Sequence, residues 1–119
     1  MVRRWILAGL VLTCALACSQ SEGGAAATAG SGDVAKGKRI YALNCTACHN
    51  ADPTQPGSIG PELAGASREL IEARLLHTAY PPGYTPKRNT VAMPAMPYLA
   101  PVIPDLSAYL GSFGRKSGS

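Results

Sequence analysis

Cys45-Thr46-Ala47-Cys48-His49 is the stretch on which the reading of this 119-residue chain turns. Two thiols three positions apart, with an imidazole directly after the second, sit on about one turn of backbone. That C-x-x-C-H pattern is an attachment site for a c-type haem. Each thiol forms a thioether to one vinyl group, and the imidazole is held beneath the ring, where it ligates iron. Other chemistries use parts of the pattern. Cys-x-x-Cys also serves as a redox dithiol or as half of a zinc site. A zinc site needs about four ligands, and His77 is the only histidine besides His49. A thioredoxin-like dithiol needs a βαβ setting, and no such pattern flanks the motif. Haem attachment is the preferred reading, and a zinc-binding module stays as an alternative.

Residues 1–17 have the layout of a secretory signal peptide. Arg3 and Arg4 form a basic start. Residues 5–17 are an apolar run of 13, shorter than a bilayer span requires. Ala15-Leu16-Ala17 fits a small-residue cleavage site, and Cys18 follows it. The segment resembles a bacterial lipoprotein signal, with Ala15 where leucine is usual; Cys14 is a poorer candidate. The expectation is lipidation of Cys18, since an unpaired thiol at an exported N-terminus is a liability. The expected location is the periplasmic side of a bacterial membrane, with a lipid anchor at Cys18.

The full chain carries 11 basic and 7 acidic residues. Arg3 and Arg4 leave with the signal, so the mature side chains come to +2. The two haem carboxylates bring that near zero. This balance excludes a large nucleic-acid-binding surface. No pair of cysteines is left to form a disulfide.

Residues 18–32 comprise the lipidated cysteine and a flexible tether of small and polar residues. The 14 residues after Cys18 have a typical end-to-end distance of about 20 Å. A single domain is expected over residues 33–114, followed by a disordered tail at 115–119. Asp33 is a plausible N-cap. Val34, Gly37, Ile40 and Tyr41 recur at helical spacing, with Lys36, Lys38 and Arg39 mostly on other faces. Gly37 points to a close backbone approach. Residues 50–65 are dense in turn formers and read as a loop. Ser67 caps a second helix running to about His77, with Leu70, Ile71, Leu75 and Leu76 apolar and an Arg68–Glu72 pair on the wet side. Val102, Ile103, Leu106, Tyr109, Leu110 and Phe113 form a third stripe, beginning at Pro101 or Pro104 because proline fits only the first turn. No strand pattern appears, so the fold class is all-α. About 80 ordered residues make a marginal core, and a haem plate packed by three or more short helices would complete it.

As a set, residues 33–113 resemble the small monohaem class I c-type cytochromes. The resemblance is carried, in order, by Gly37 and Tyr41, by Cys45-Thr46-Ala47-Cys48-His49, by Gly60-Pro61-Glu62-Leu63, by Met93-Pro94 and by Ala108-Tyr109-Leu110. It implies a cytochrome c-like fold around one covalently attached haem c, with the N- and C-terminal helices crossing. Gly37 and Tyr41 would meet the face bearing Tyr109 and Leu110. Pro61 would lie near His49, its carbonyl or a neighbour's accepting from the ring N–H. The iron would be held by His49 and Met93, because Met93 is followed by Pro94 and, six residues on, by Leu99. Met96, also followed by proline, is the alternative. The resemblance departs at residues 100–105, where Pro101 and Pro104 replace the usual acidic helix start.

Either methionine can instead be plain packing against the ring, and His77 at a helix end is more often a surface residue. With both axial positions filled, the implied function is one-electron transfer in an exported chain, with no small-molecule substrate and no enzyme activity of its own. The partners are redox proteins. A haem-containing subunit of a complex, or a five-coordinate haem sensor or enzyme, is the alternative. Lys36, Lys38, Arg39, Lys87 and Arg88 either steer an acidic partner or form an ordinary solvated surface. Tyr80, Tyr84, Arg88 and Asn89 are candidates to hydrogen-bond the haem carboxylates.

Overall fold

The computed structural model describes residues 31–89 and 91–115. The expected signal peptide, Cys18 and the tether up to residue 30 lie outside the described residues, as do residues 116–119. Among the described residues, three α-helices and one 3-10 helix make up the regular structure, and there is no strand.

Helix α1 (Val34–Asn44) starts where a side chain can satisfy its free N–H groups. The Asp33 carboxylate accepts from the Lys36 N–H at 2.9 Å. Helix α2 (Arg68–His77) begins the same way, with Ser67 Oγ accepting from the Leu70 N–H. The Arg68–Glu72 pair forms on its exposed face at 2.7 Å.

The last helix departs from expectation. A 3-10 helix, Pro97–Val102, precedes α3 (Ile103–Ser112) and contains Pro101. Neither proline opens α3; Ile103 does, with Pro104 in the first turn, where the missing N–H costs nothing. Leu99, buried, is delivered to the core by the 3-10 segment.

Helices α1 and α3 cross in close contact. Gly37 lies against the Asp105 carbonyl and Tyr109 Cβ, leaving no room for a side chain. The Tyr41 and Tyr109 rings meet at 5.6 Å with planes tilted by 56°. Asp105 ties the crossing at its end. Its carboxylate accepts from the Asp33 N–H at 2.8 Å and pairs with Lys36 at 2.8 Å. Gly32, read as the last residue of the tether, already packs on the Pro104 backbone. Val34, read as part of the apolar stripe, is instead exposed.

Helix α2 closes the other side. Ile71 and Leu75 enter the same core as Leu99, Ile103, Leu106 and Leu110. The Met96 N–H donates to the Leu75 carbonyl at 2.7 Å, which pins the start of the 3-10 helix to α2.

Candidate haem site

The motif occupies the turn that ends α1. The Cys45 N–H donates to the Tyr41 carbonyl, and the Cys45 carbonyl accepts from Cys48 at 3.2 Å and from His49 at 2.9 Å. Both thiols and the imidazole are thereby gathered on one turn. The Tyr41 hydroxyl donates to the Asn50 carbonyl at 2.6 Å and fixes the exit from the motif. Cys45 is buried, Cys48 is half-buried, and no disulfide joins them. Burial, with Cys48 nearby, pushes the Cys45 thiol up to about 11. A reactive dithiol needs the opposite shift, because the thiolate is the nucleophile. The zinc alternative fares no better, since no cluster of three or more His, Cys, Asp or Glu suited to a metal ion occurs among the described residues.

His49 is only 8% exposed, and its ring is clamped. Nδ1 lies 2.8 Å from the Pro61 carbonyl. A carbonyl can only accept, so that bond places the proton on Nδ1 and leaves the lone pair on Nε2. The loop bearing Pro61 is held by the motif itself, because the Cys48 carbonyl accepts from the Gly60 N–H at 2.9 Å. Gly60 rests directly on the imidazole, where any Cβ would overlap ring atoms. Sequence reading placed Gly60 in a motif without giving it this role; a glycine beside the predicted histidine acceptor was the available signal.

A cavity of about 520 Å³ opens beside this clamp. Cys45, Cys48 and His49 line it, with Met93, Pro94 and Met96 from the approach to the 3-10 helix. Leu70, Ile71 and Leu75 of α2 and Leu106 and Leu110 of α3 supply apolar wall. An apolar chamber bordered by two thiols, an oriented imidazole and two thioethers has the donor set that a c-type haem needs. His77 is exposed and does not line the cavity. Neither does Asn89, whereas Tyr80, Tyr84 and Arg88 do.

The sequence pattern of the cytochrome c family matches residues 34–113, about two-thirds of the 119-residue chain. The chain belongs to the cytochrome c family. Its helical architecture and motif order are those of a class I c-type cytochrome, a haem-based electron carrier. No curated protein and no solved structure matches the chain.

In this cytochrome, two of the five basic residues considered for partner steering pair with internal carboxylates. Lys36 pairs with Asp105, and Lys87 pairs with Glu62 at 2.9 Å. Both hold elements together, which sequence distance concealed. Arg88 Nη1 donates to the Ile59 carbonyl at 3.0 Å, a second link between the 80–89 stretch and the loop that carries Pro61. Arg74 also lines the cavity and was missed. Its spacing gave a signal, since it lies three and four residues after Ile71 and Leu70 and therefore shares their face.

Proposed function

We propose that this cytochrome is an exported one-electron carrier holding one haem c through thioethers at Cys45 and Cys48, with His49 and Met93 as axial ligands. The observation that supports it best is the His49 clamp: a buried imidazole with Nδ1 2.8 Å from the Pro61 carbonyl, lining a cavity shared with both cysteines and both methionines. When bound, haem supplies a one-electron couple at iron. The residues around it hold and insulate. The Nδ1–carbonyl bond increases imidazole basicity and fixes ring orientation. The Met93 thioether would favour the reduced state relative to a second histidine. The apolar wall from Leu70, Ile71, Leu75, Leu106 and Leu110 lowers the local dielectric and excludes water, which disfavours the more charged oxidised state. With His49 and Met93 both holding the iron, the protein would leave it no position for a substrate.

Met93 is chosen over Met96 because the backbone of Met96 is already tied to Leu75 on α2, as befits a residue that packs. Cys18 carries a lipid anchor in this reading, and the tether lets the domain turn toward donor and acceptor proteins in an exported chain. Protein matured in a host that attaches haem tests the whole reading. The expected result is one added haem mass, a c-type reduced spectrum and a sulfur-to-iron charge-transfer band when oxidised. A bare polypeptide mass would overturn the reading. Rapid carbon monoxide binding without the band would leave the haem and replace the carrier by a five-coordinate sensor or enzyme.

A further inference from the structure

Met93 is suspended between two fixed points. Just after it, the Met96 N–H is bound to the Leu75 carbonyl of α2. Among the described residues, no backbone hydrogen bond holds the stretch 89–95, and none of it is helical. Val91, inside that stretch, is 98% exposed. A segment with so few contacts of its own is placed by whatever holds its ends. The other end is held at Lys87 and Arg88. Lys87 Nζ pairs with the Glu62 carboxylate at 2.9 Å and donates to the Glu62 carbonyl at 3.3 Å. Arg88 Nη1 donates to the Ile59 carbonyl at 3.0 Å.

These bonds land on either side of Pro61, whose carbonyl orients the His49 ring. Ile59, Pro61, Glu62, Lys87 and Arg88 all line the cavity. The approach to Met93 is thus strapped to the loop behind His49. An ordinary surface ion pair contributes little, because two long side chains must be ordered in water. Here neighbouring residues make three bonds across gaps of 25 and 29 positions, so ordering two side chains fixes two loops relative to each other. The hydrogen bond from Lys87 keeps the Glu62 carboxyl below its usual range, so the pair is charged at neutral pH. The Arg68–Glu72 pair makes the opposite case: it lies within one helix, four residues apart, and joins nothing distant.

We propose that Lys87 and Glu62 are positioning residues: by strapping the approach to Met93 onto the Pro61 loop, they keep the Met93 sulfur on the iron and outside ligands off it. The inference rests on the His49 and Met93 reading above. With the strap broken, the stretch 89–95 is fixed firmly only at Met96, and the sulfur leaves more often.

The test uses haem-loaded full chains, each checked by mass and by the sulfur-to-iron band. Neutral imidazole is the probe, and its capture of the oxidised iron is timed by loss of the band. At saturating imidazole the rate reports departure of the methionine. Glu62→Gln and Lys87→Gln should each raise it about two- to fivefold, the range open to one exposed ion pair. The double variant should be no faster than the quicker single, because both remove the same bond. Exchanging the charges, Glu62→Lys with Lys87→Glu, should bring the rate back toward wild type. Arg68→Gln breaks a pair of the same kind within α2 and should leave the rate unchanged, which separates positioning from a general loss of stability. Salt should speed the wild type by screening the pair and should not speed Glu62→Gln. If Glu62→Gln does not mature, Lys87→Gln takes its place. Single variants at the wild-type rate, effects that add in the double variant, or an equal rise in Arg68→Gln overturn this inference alone. A wild-type oxidised spectrum without the band overturns the methionine ligation beneath it, and a chain without haem overturns the whole reading.

Discussion

Gly37 and Asp105 set how closely the first and last helices approach. The Gly37 backbone lies against the Asp105 carbonyl so tightly that a methyl group has no place. Gly37→Ala must therefore push α1 off α3 and separate Tyr41 from Tyr109. Overpacking of this kind costs about 1–3 kcal/mol, and because the obstacle is the Asp105 backbone and not a side chain that can turn aside, it outweighs the roughly 1 kcal/mol gained from alanine's better helix propensity. Denaturant unfolding of the haem-loaded protein should show a lower midpoint. A midpoint at or above wild type would mean that the helices have slack.

The same carboxylate makes stability depend on acid. Hydrogen bonds from Lys36 and from the Asp33 N–H hold the Asp105 carboxyl below its usual range. Its folded pKa is thus lower than its unfolded value, so the unfolded chain binds more protons as acid is added. The contribution is complete above the unfolded pKa of about 3.9 and is lost as pH falls through the folded value. Asp105→Asn should lower stability near neutrality by about 0.5–1 kcal/mol. It should also unfold with a shallower pH dependence than wild type below about pH 4. Parallel acid titrations followed by circular dichroism would decide it.

Gly60 and His49 make a sharper case, because damage there is local. A Cβ on residue 60 would overlap the imidazole and not a helix. Gly60→Ala should leave far-ultraviolet dichroism near wild type while altering the oxidised spectrum, as the ring is tilted out of line. Retention of the wild-type spectrum would show that the ring is not held by this glycine.

How much of this could be read from the chain depends on how local the cause is. Asp33 and Ser67 act on their own helices, and both caps were readable from residue type and spacing. Gly37 and Tyr41 opposite Tyr109 came from the family resemblance, as did Pro61 beside His49. The Pro97–Val102 segment was not readable, because Pro97 and Pro101 argue against an α-helix without specifying the tighter turn that replaces it. Lys36 and Lys87 looked like surface charge, since their partners Asp105 and Glu62 lie 69 and 25 residues away. Arg74 failed for another reason: a lone basic residue on an apolar face has no meaning until the cavity behind it is visible.

The two methionines separate by what each touches. Met93 and Met96 both line the cavity, but only the Met96 backbone is bound to α2. Met93→Ala should abolish the charge-transfer band, lower the potential and open the iron to carbon monoxide. Met96→Ala should keep the band and cost about 1–2 kcal/mol, below the range for a fully buried methionine because the side chain is half-exposed. If Met93→Ala keeps the band and Met96→Ala loses it, the assignment of the ligand is reversed.

Removing the attachment should remove the fold. Among the described residues, nine buried apolar side chains make up the core, and five of them, Cys45, Ile71, Leu75, Leu106 and Leu110, line the cavity. Without a ring between them these walls meet water or one another at the wrong distance. At about 24 cal/mol per Å³, even a fraction of a 520 Å³ void is comparable with the whole stability of a small domain, about 5–15 kcal/mol. The helices cannot simply collapse inward, because the 3-10 segment is tethered to Leu75 and the His49 loop to Cys48. Cys45→Ala/Cys48→Ala should therefore show little helical dichroism and no cooperative thermal transition. Helix content should return when haem is supplied in solution with His49 intact. A double variant that stays helical and melts cooperatively without haem would show that the polypeptide closes its own core.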